Sequence, residues 1–193
     1  MPKSIFDLLG PLYDWVIRGA PPEHLKEYLA LSGNCEEKIL EIGAGTGRTV
    51  RNLVSQCQSL WLLDPSLNML RVAKKKIPEA KIVHAFTEKI PLPDNSFDRI
   101  FAIDSLHHWD NHLAGLSEIK RVLDQKGRFV LIDFDPTTRR GYFIKSMEWV
   151  LRMGSTFFTP NQIRVLLDKS DLKVIKQKFI DSGTFLTISV PKY

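Results

Sequence analysis

Apolar residues along this chain recur with two periods, and the periods alternate. Ile39-Leu40-Glu41-Ile42 is a short apolar run broken only by Glu41, and Thr49 to Val54 then carries apolar residues at helical spacing. Leu60-Trp61-Leu62-Leu63-Asp64 reads as a second strand. From Ser66 to Lys76, Leu67, Leu70, Ala73 and Ile77 share one helical face, and Pro78 stops that helix. Strands follow at Ala80–His84 and Asp98–Ile103. Leu113, Leu116, Ile119 and Leu123 predict a helix that Lys126-Gly127 should close. Arg128-Phe129-Val130-Leu131-Ile132 is the most apolar strand, as a sheet centre buried on both faces requires. Helical patterns over about 141–153 and 160–169 precede two strands near 172–180 and 184–190, joined through Asp181-Ser182-Gly183. Residues 4–31 read as two helices joined by Arg18 to Pro22, the first bent at Gly10-Pro11. The expected architecture is α/β: a doubly wound, mostly parallel seven-stranded sheet with a C-terminal antiparallel pair. It forms one domain over 1–193, with an N-terminal helical cover at 1–34 and a core at 35–193.

Such a sheet binds its ligand in the crevice outside the carboxyl ends of its strands. The loop Gly43-Ala44-Gly45-Thr46-Gly47, then Asp64, Phe86-Thr87 and Asp104-Ser105 all fall at or just past such ends. Alternate glycines permit backbone angles closed to other residues and keep side chains away from a ligand. Asp64 suits the two hydroxyls of a ribose, or the start of the helix that follows it. The loop is not a dinucleotide fingerprint. Arg48 stands where GxGxxG would place its last glycine, and Glu41 would repel a nearby pyrophosphate while tolerating an ammonium or sulfonium.

Composition narrows the picture little. The chain has 193 residues, 44% hydrophobic and 25% charged, the mix of an ordinary globular domain. No apolar run approaches the ~20 residues that span a bilayer, so no stable membrane insertion is expected. Asp7 and Asp14 interrupt any signal-peptide layout. Cys35 and Cys57 are isolated, which fits a reducing, cytoplasmic setting. The formal charge is +5, with its densest stretch between Arg71 and Lys81; that stretch lacks interleaved aromatics and reads as a solvated helix face, so no nucleic-acid partner is expected.

Ile39-Leu40-Glu41-Ile42-Gly43-Ala44-Gly45-Thr46-Gly47-Arg48 resembles the first motif of the class I S-adenosylmethionine-dependent methyltransferases. Leu62-Leu63-Asp64-Pro65-Ser66-Leu67-Asn68-Met69-Leu70 is similar to their acidic second motif. Ile90 to Asp98, Ser105-Leu106-His107-His108-Trp109 and Ile119 to Phe129 resemble the subgroup containing the ubiquinone and menaquinone biosynthesis methylases, as do Phe6-Asp7 and Tyr13-Asp14. The resemblance implies S-adenosylmethionine as cofactor and S-adenosylhomocysteine as product. It places Gly43, Ala44, Gly45 and Gly47 beneath the methionine portion, Glu41 near its amino end and Asp64 on the ribose. Pro65 and Met69 would line the adenine, Tyr13 would close over the cofactor, and Ala102 to Asp104 would offer carbonyls to the amino group. The family commonly has an acidic residue after the third strand; here Phe86 stands there, to pack on the ring, with Thr87 satisfying its polar edge.

Transfer from a sulfonium to an acceptor is an in-line displacement that asks mainly for alignment and exclusion of water. A base is needed only for hydroxyl or carbon acids. His107 and His108, just past the fourth strand, are the catalytic candidates, with Asp104 and Asp133 behind them. The same pair suits a helix cap or packing beside Trp109, and no metal is expected because no third ligand has supporting spacing. The 136–158 segment, with Phe143, Met147, Trp149, Met153, Phe157 and Phe158, would build a pocket for a small, apolar or aromatic acceptor. Two other classes stay open: a catalytically silent S-adenosylmethionine-binding regulator and an NAD-dependent oxidoreductase.

Overall fold

The computed structural model describes residues 37–51 and 57–192. Seven strands lie in one sheet: β1 (Lys38–Ile42), β2 (Ser59–Asp64), β3 (Lys81–His84), β4 (Phe97–Ile103), β5 (Leu123–Phe134), β6 (Leu172–Phe179) and β7 (Thr184–Pro191). Their order is β3-β2-β1-β4-β5-β7-β6. The first five pair in parallel, while β7 runs antiparallel between β5 and β6. The seven-stranded doubly wound sheet with an antiparallel end is therefore as the periodicity predicts. Strand order reverses between β1 and β4, so a crevice opens beyond Ile42 and Ile103, where the glycine loop and Asp104 lie.

Both faces of the sheet are covered. Leu40, Ile42, Ile100, Ala102, Phe129 and Leu131 pack on one side with Leu116 and Ile119 of α2 (His112–Val122) and Ile163 and Leu167 of α4 (Pro160–Lys169). Ile39, Leu62, Phe101, Ile103, Val130 and Ile132 pack on the other with Leu70 and Ala73 of α1 (Leu67–Lys76). Alternation thus assigns neighbours to opposite cores, which is why these strands are apolar almost without interruption. It also puts Glu41 on the α1 side, in line with Ile39.

Helix starts follow from their caps. The side chains of Ser66 and Asn111 accept from Met69 N at 3.3 Å and Ala114 N at 3.1 Å. Thr138 accepts from Gly141 N at 3.1 Å and opens α3 (Arg139–Val150), and Thr159 forms a reciprocal box with Gln162.

One boundary differs from expectation. α2 ends at Val122 and the chain enters β5 at once, so Lys126-Gly127 lies inside a 12-residue strand and closes no helix. Leu123 pairs with Phe97 and Arg128 with Arg99, so the register shifts there and the residues between are accommodated opposite Asp98. The helical cover at 1–34, Tyr13 included, and most of the helix expected after the glycine loop lie outside the described residues. No helix among the described residues is long and apolar enough to cross a membrane.

Phe129 is fully buried at the sheet centre. Phe129→Ala should lower unfolding free energy by about 3–5 kcal/mol, measured by urea titration; a loss below about 1 kcal/mol would mean that this layer is not close-packed.

Candidate active site

The glycine loop divides its work. Gly43, Gly45 and Gly47 all have positive φ, at 65°, 53° and 69°. A Cβ on Gly43 would lie 2.4 Å from Ser105 Cβ, and one on Gly47 would lie 3.0 Å from Ile77 Cδ1, whereas one on Gly45 would meet nothing within 4 Å. The outer two glycines therefore let the turn pack against β4 and α1, and the middle one borders open space. Ser105 Oγ donates to Ile42 O at 3.0 Å, tying the two strand ends together. Asp64 secures the loop from the next strand: its Oδ2 accepts from Gly45 N and its Oδ1 from Ser66 N, both at 2.8 Å. The helix-start reading of Asp64 thus holds in part, though the capping oxygen is that of Ser66. This pair of backbone bonds orients Asp64 beside the loop.

Glu41 is 1% exposed, and its Oε2 has no hydrogen-bond partner among the described residues. Burial pushes its carboxyl well above the usual range; Asp64 and Asp104 push the same way and Arg48 opposes them. Asp104, held at φ 51°, is pushed up to about 7 by burial and then by Asp133, against the pull of His107. Three carboxyls thus converge on the loop, and the most deeply buried, Glu41, is incompletely satisfied. That suits a ligand carrying ammonium and sulfonium charge and disfavours a pyrophosphate. An amino-acid-bearing nucleoside sulfonium therefore fits the residues present: open space over Gly45, an orphaned acceptor on Glu41 and an oriented carboxylate at Asp64.

On the neighbouring edge, Phe86 is 49% exposed, as an aromatic awaiting a ring partner would be. Thr87 is buried with its methyl toward Gly115, and Met69, in the first turn of α1, is fully buried. The Pro65 carbonyl accepts from His84 Nε2 at 2.9 Å, which fixes the turn between β2 and α1.

Past β4 the chain makes one tight turn, Leu106–His108. His107 is 2% exposed, with Nδ1 at 2.6 Å from Asp133 Oδ1 and Nε2 at 3.6 Å from Glu148 Oε1. Burial alone would lower its pKa, but Asp133 and Glu148 outweigh that and hold it up at about 10. His108 is pushed down to about 4 by burial and then by His107, and its Nδ1 lies 3.0 Å from Ser155 Oγ. Phe157 stacks on His107 at 4.6 Å and 11°. Neither histidine caps a helix, since Asn111 caps α2.

Residues 40–131 match the family model for a methyltransferase domain. The matched stretch, a little under half of the chain, is similar to methyltransferase domains. The chain is 30% identical over 130 residues to the demethylmenaquinone methyltransferase of Thermotoga maritima, covering 63% of this chain and 56% of that one. Against the ubiquinone/menaquinone biosynthesis C-methyltransferase of Burkholderia cenocepacia it is 27% identical over 172 residues, 79% of this chain and 70% of that one. The chain spans about half the length of the first curated relatives it matches. In fold it is similar to a possible histamine N-methyltransferase from Thermotoga maritima, with TM-score 0.79, 22% identity and coverage of 97% and 99% of the two chains. A Haloferax volcanii structure, a complex between the Trm112 methyltransferase activator and a putative methyltransferase, matches with TM-score 0.82, 19% identity and full coverage of both chains.

The 136–158 segment departs from the pocket expected of it. Phe143 and Trp149 are 67% and 80% exposed, and Tyr142 and Val150 are exposed beside them. Phe157 and Phe158 turn inward, Phe157 onto His107 and Phe158 against His112. The residue that sequence reasoning missed is Glu148, which is buried in α3 amid that exposed apolar surface. No third group was expected to join the two histidines, yet Glu148 brings a carboxylate to them from 40 positions beyond His108. Its one signal was a lone acid in an apolar helix.

The two loop glycines should respond differently. Gly43→Ala should destabilise the fold by about 2–4 kcal/mol through overlap with Ser105 and a positive φ. Gly45→Ala should cost only about 1 kcal/mol while intruding on the ligand space; thermal melts with and without S-adenosylhomocysteine separate the two effects.

Glu41 should make the ligand-free protein pH-sensitive. Its folded pKa lies above the unfolded value of about 4.5, so the stability linked to its proton is present below that value and is lost as pH rises through the folded value. Glu41→Gln should therefore be more stable than the parent at alkaline pH, with the difference vanishing in acid. Parallel melts at a series of pH values would refute this if the two curves kept a constant offset.

Proposed function

We propose that this chain is a methyltransferase that uses S-adenosylmethionine to methylate a small, apolar or aromatic acceptor by in-line transfer. The observation that supports it best is the buried, unpartnered carboxyl oxygen of Glu41, set beside an open glycine turn and ringed by Asp64 and Asp104. The bound cofactor supplies an electrophilic methyl on a sulfonium that departs neutral. The chain's own residues do the remainder. Glu41 receives the ammonium end, Gly43, Ala44, Gly45 and Gly47 keep the floor clear, and Asp64 receives the ribose hydroxyls. Pro65, Met69, Phe86 and Thr87 bound the adenine side, Phe86 with an exposed ring face. Tyr13 is kept as the closing residue on the resemblance alone.

The acceptor lies on the side of Asp104, His107 and His108. Asp104 is the better-placed base, because a carboxyl held near 7 at the end of β4 accepts a proton at neutral pH and returns it readily. His107 and His108 lie beside it; His107 is 2% exposed, with Asp133 and Glu148 at its two ring nitrogens and Phe157 stacked on its ring. The catalytically silent regulator is kept as the alternative reading.

Calorimetry with S-adenosylmethionine, S-adenosylhomocysteine and NAD should show binding of the first two alone. Asp64→Ala should weaken that binding by about 1–3 kcal/mol. In a labelled-methyl screen over small acceptors at saturating cofactor, Asp104→Asn should slow transfer to hydroxyl or carbon acids by about 100-fold or more. Binding without transfer to any acceptor class would favour the regulator; tight NAD binding would overturn the reading.

A further inference from the structure

We propose that His107, His108 and Glu148 form a binding site for a divalent metal ion of the zinc type, with Asp133 orienting His107 from behind. The three residues come from two elements, the turn after β4 and the third turn of α3, and one ligand atom from each lies within 4.8 Å of the others. His107 Nε2 and Glu148 Oε1 are 3.6 Å apart, too long for a hydrogen bond. It is close to the ~3.4 Å that separates two ligands of one tetrahedral ion with metal–ligand bonds of about 2.0–2.1 Å.

Three further observations point to a ligand. Glu148 is 7% exposed; His107 and Ser155 face its carboxylate, while its Oε2 has no hydrogen-bond partner among the described residues and is left with acceptor capacity that an ion would use. Asp133 Oδ1 takes the Nδ1 side of His107 at 2.6 Å and is itself fixed by Phe134 N at 2.8 Å, so Nε2 is the nitrogen turned toward Glu148. This carboxylate–histidine pair is the outer support that metal-bound imidazoles usually have. The two imidazole planes lie 58° apart at 4.1 Å, tilted and not stacked, while Phe157 closes the far side of His107.

Two imidazoles and one carboxylate match zinc with a fourth position left open, whereas calcium and magnesium prefer oxygen donors alone. His108, half-buried, is the more accessible flank. The turn follows Asp104 and Ser105 directly, so the site borders the end of β4, on which the proposed acceptor side is centred. On the methyltransferase reading, which this second step rests on, the acceptor is then a small molecule presenting a hydroxyl or carbonyl oxygen to the ion. Metal binding itself does not depend on that reading.

The test uses the full chain, freed of metal by a chelator and then titrated with Zn2+ by calorimetry and with Co2+ by visible absorption. One equivalent should bind, with the intense d–d bands of tetrahedral cobalt and no thiolate charge-transfer band. His108→Ala and Glu148→Gln should each weaken Zn2+ binding at least tenfold, and Asp133→Asn by about 10–100-fold; His84→Ala, an exposed histidine at the end of β3, should leave Zn2+ binding unchanged. Circular dichroism and S-adenosylhomocysteine affinity measured on each variant show whether it is folded. Failure of the folded wild type to take up either ion at sub-millimolar concentration would overturn the proposal, as would uptake indifferent to His108→Ala and Glu148→Gln. Metal uptake without cofactor binding would instead overturn the methyltransferase reading and leave this site standing.

Discussion

Desolvated carboxyl groups gathered at the end of a parallel sheet are the constraint on which the rest of this molecule depends. Glu41, Asp64 and Asp104 end or follow β1, β2 and β4, and the strand order brings those ends together. Like charges in a water-poor crevice repel, so each group needs separate compensation. Asp64 has it in two backbone donors, and Arg48 opposes the push on both Glu41 and Asp104. What remains uncompensated among the described residues is one oxygen of Glu41, and the proposed cationic cofactor would complete it.

The same logic divides the labour at the end of β4. Asp104 and His107 are three residues apart, but Asp133 acts on them in opposite senses. It pushes the Asp104 carboxyl up toward neutrality and holds the His107 imidazole up as well, because one is a like charge and the other an opposite one. A residue of β5 therefore sets which neighbour can exchange a proton near pH 7 and which cannot. In the proposed reaction, proton exchange would fall to the acid with a value near neutrality, and the histidine, with Phe157 stacked on it, would hold geometry.

Most of the sheet was legible because both-face burial imposes near-continuous apolar strands and alternate glycines mark the turn. The strand ends were legible for the same reason, and with them Glu41, Asp64 and Asp104. Division of function within the loop was not. Gly43, Gly45 and Gly47 look equivalent in sequence, and only the positions of Ser105 and Ile77 show which glycine borders open space. The end of α2 was misplaced because a register shift let the strand begin at Leu123, a feature with no periodic signature. Phe143 and Trp149 followed a pattern that usually signals a core, yet their helix lies outside both clusters of the sheet and exposes them.

Glu148 shows most clearly where one-dimensional reading stops. Metal and catalytic spacings are recognisable in sequence when ligands share a helix turn or a short loop; here the third group approaches from another element, after β5 and the cap at Thr138 have set the direction of α3. Gly141 is what allows that approach, since a Cβ there would lie 1.9 Å from Asp135 O. The backbone of α3 must pass that close to the end of β5 for its third turn to reach the histidines. A buried acid in an otherwise solvent-facing apolar helix is expensive unless something faces it. In this fold, the close packing of Gly141 on Asp135 and the carboxylate that reaches His107 are two consequences of one placement of α3.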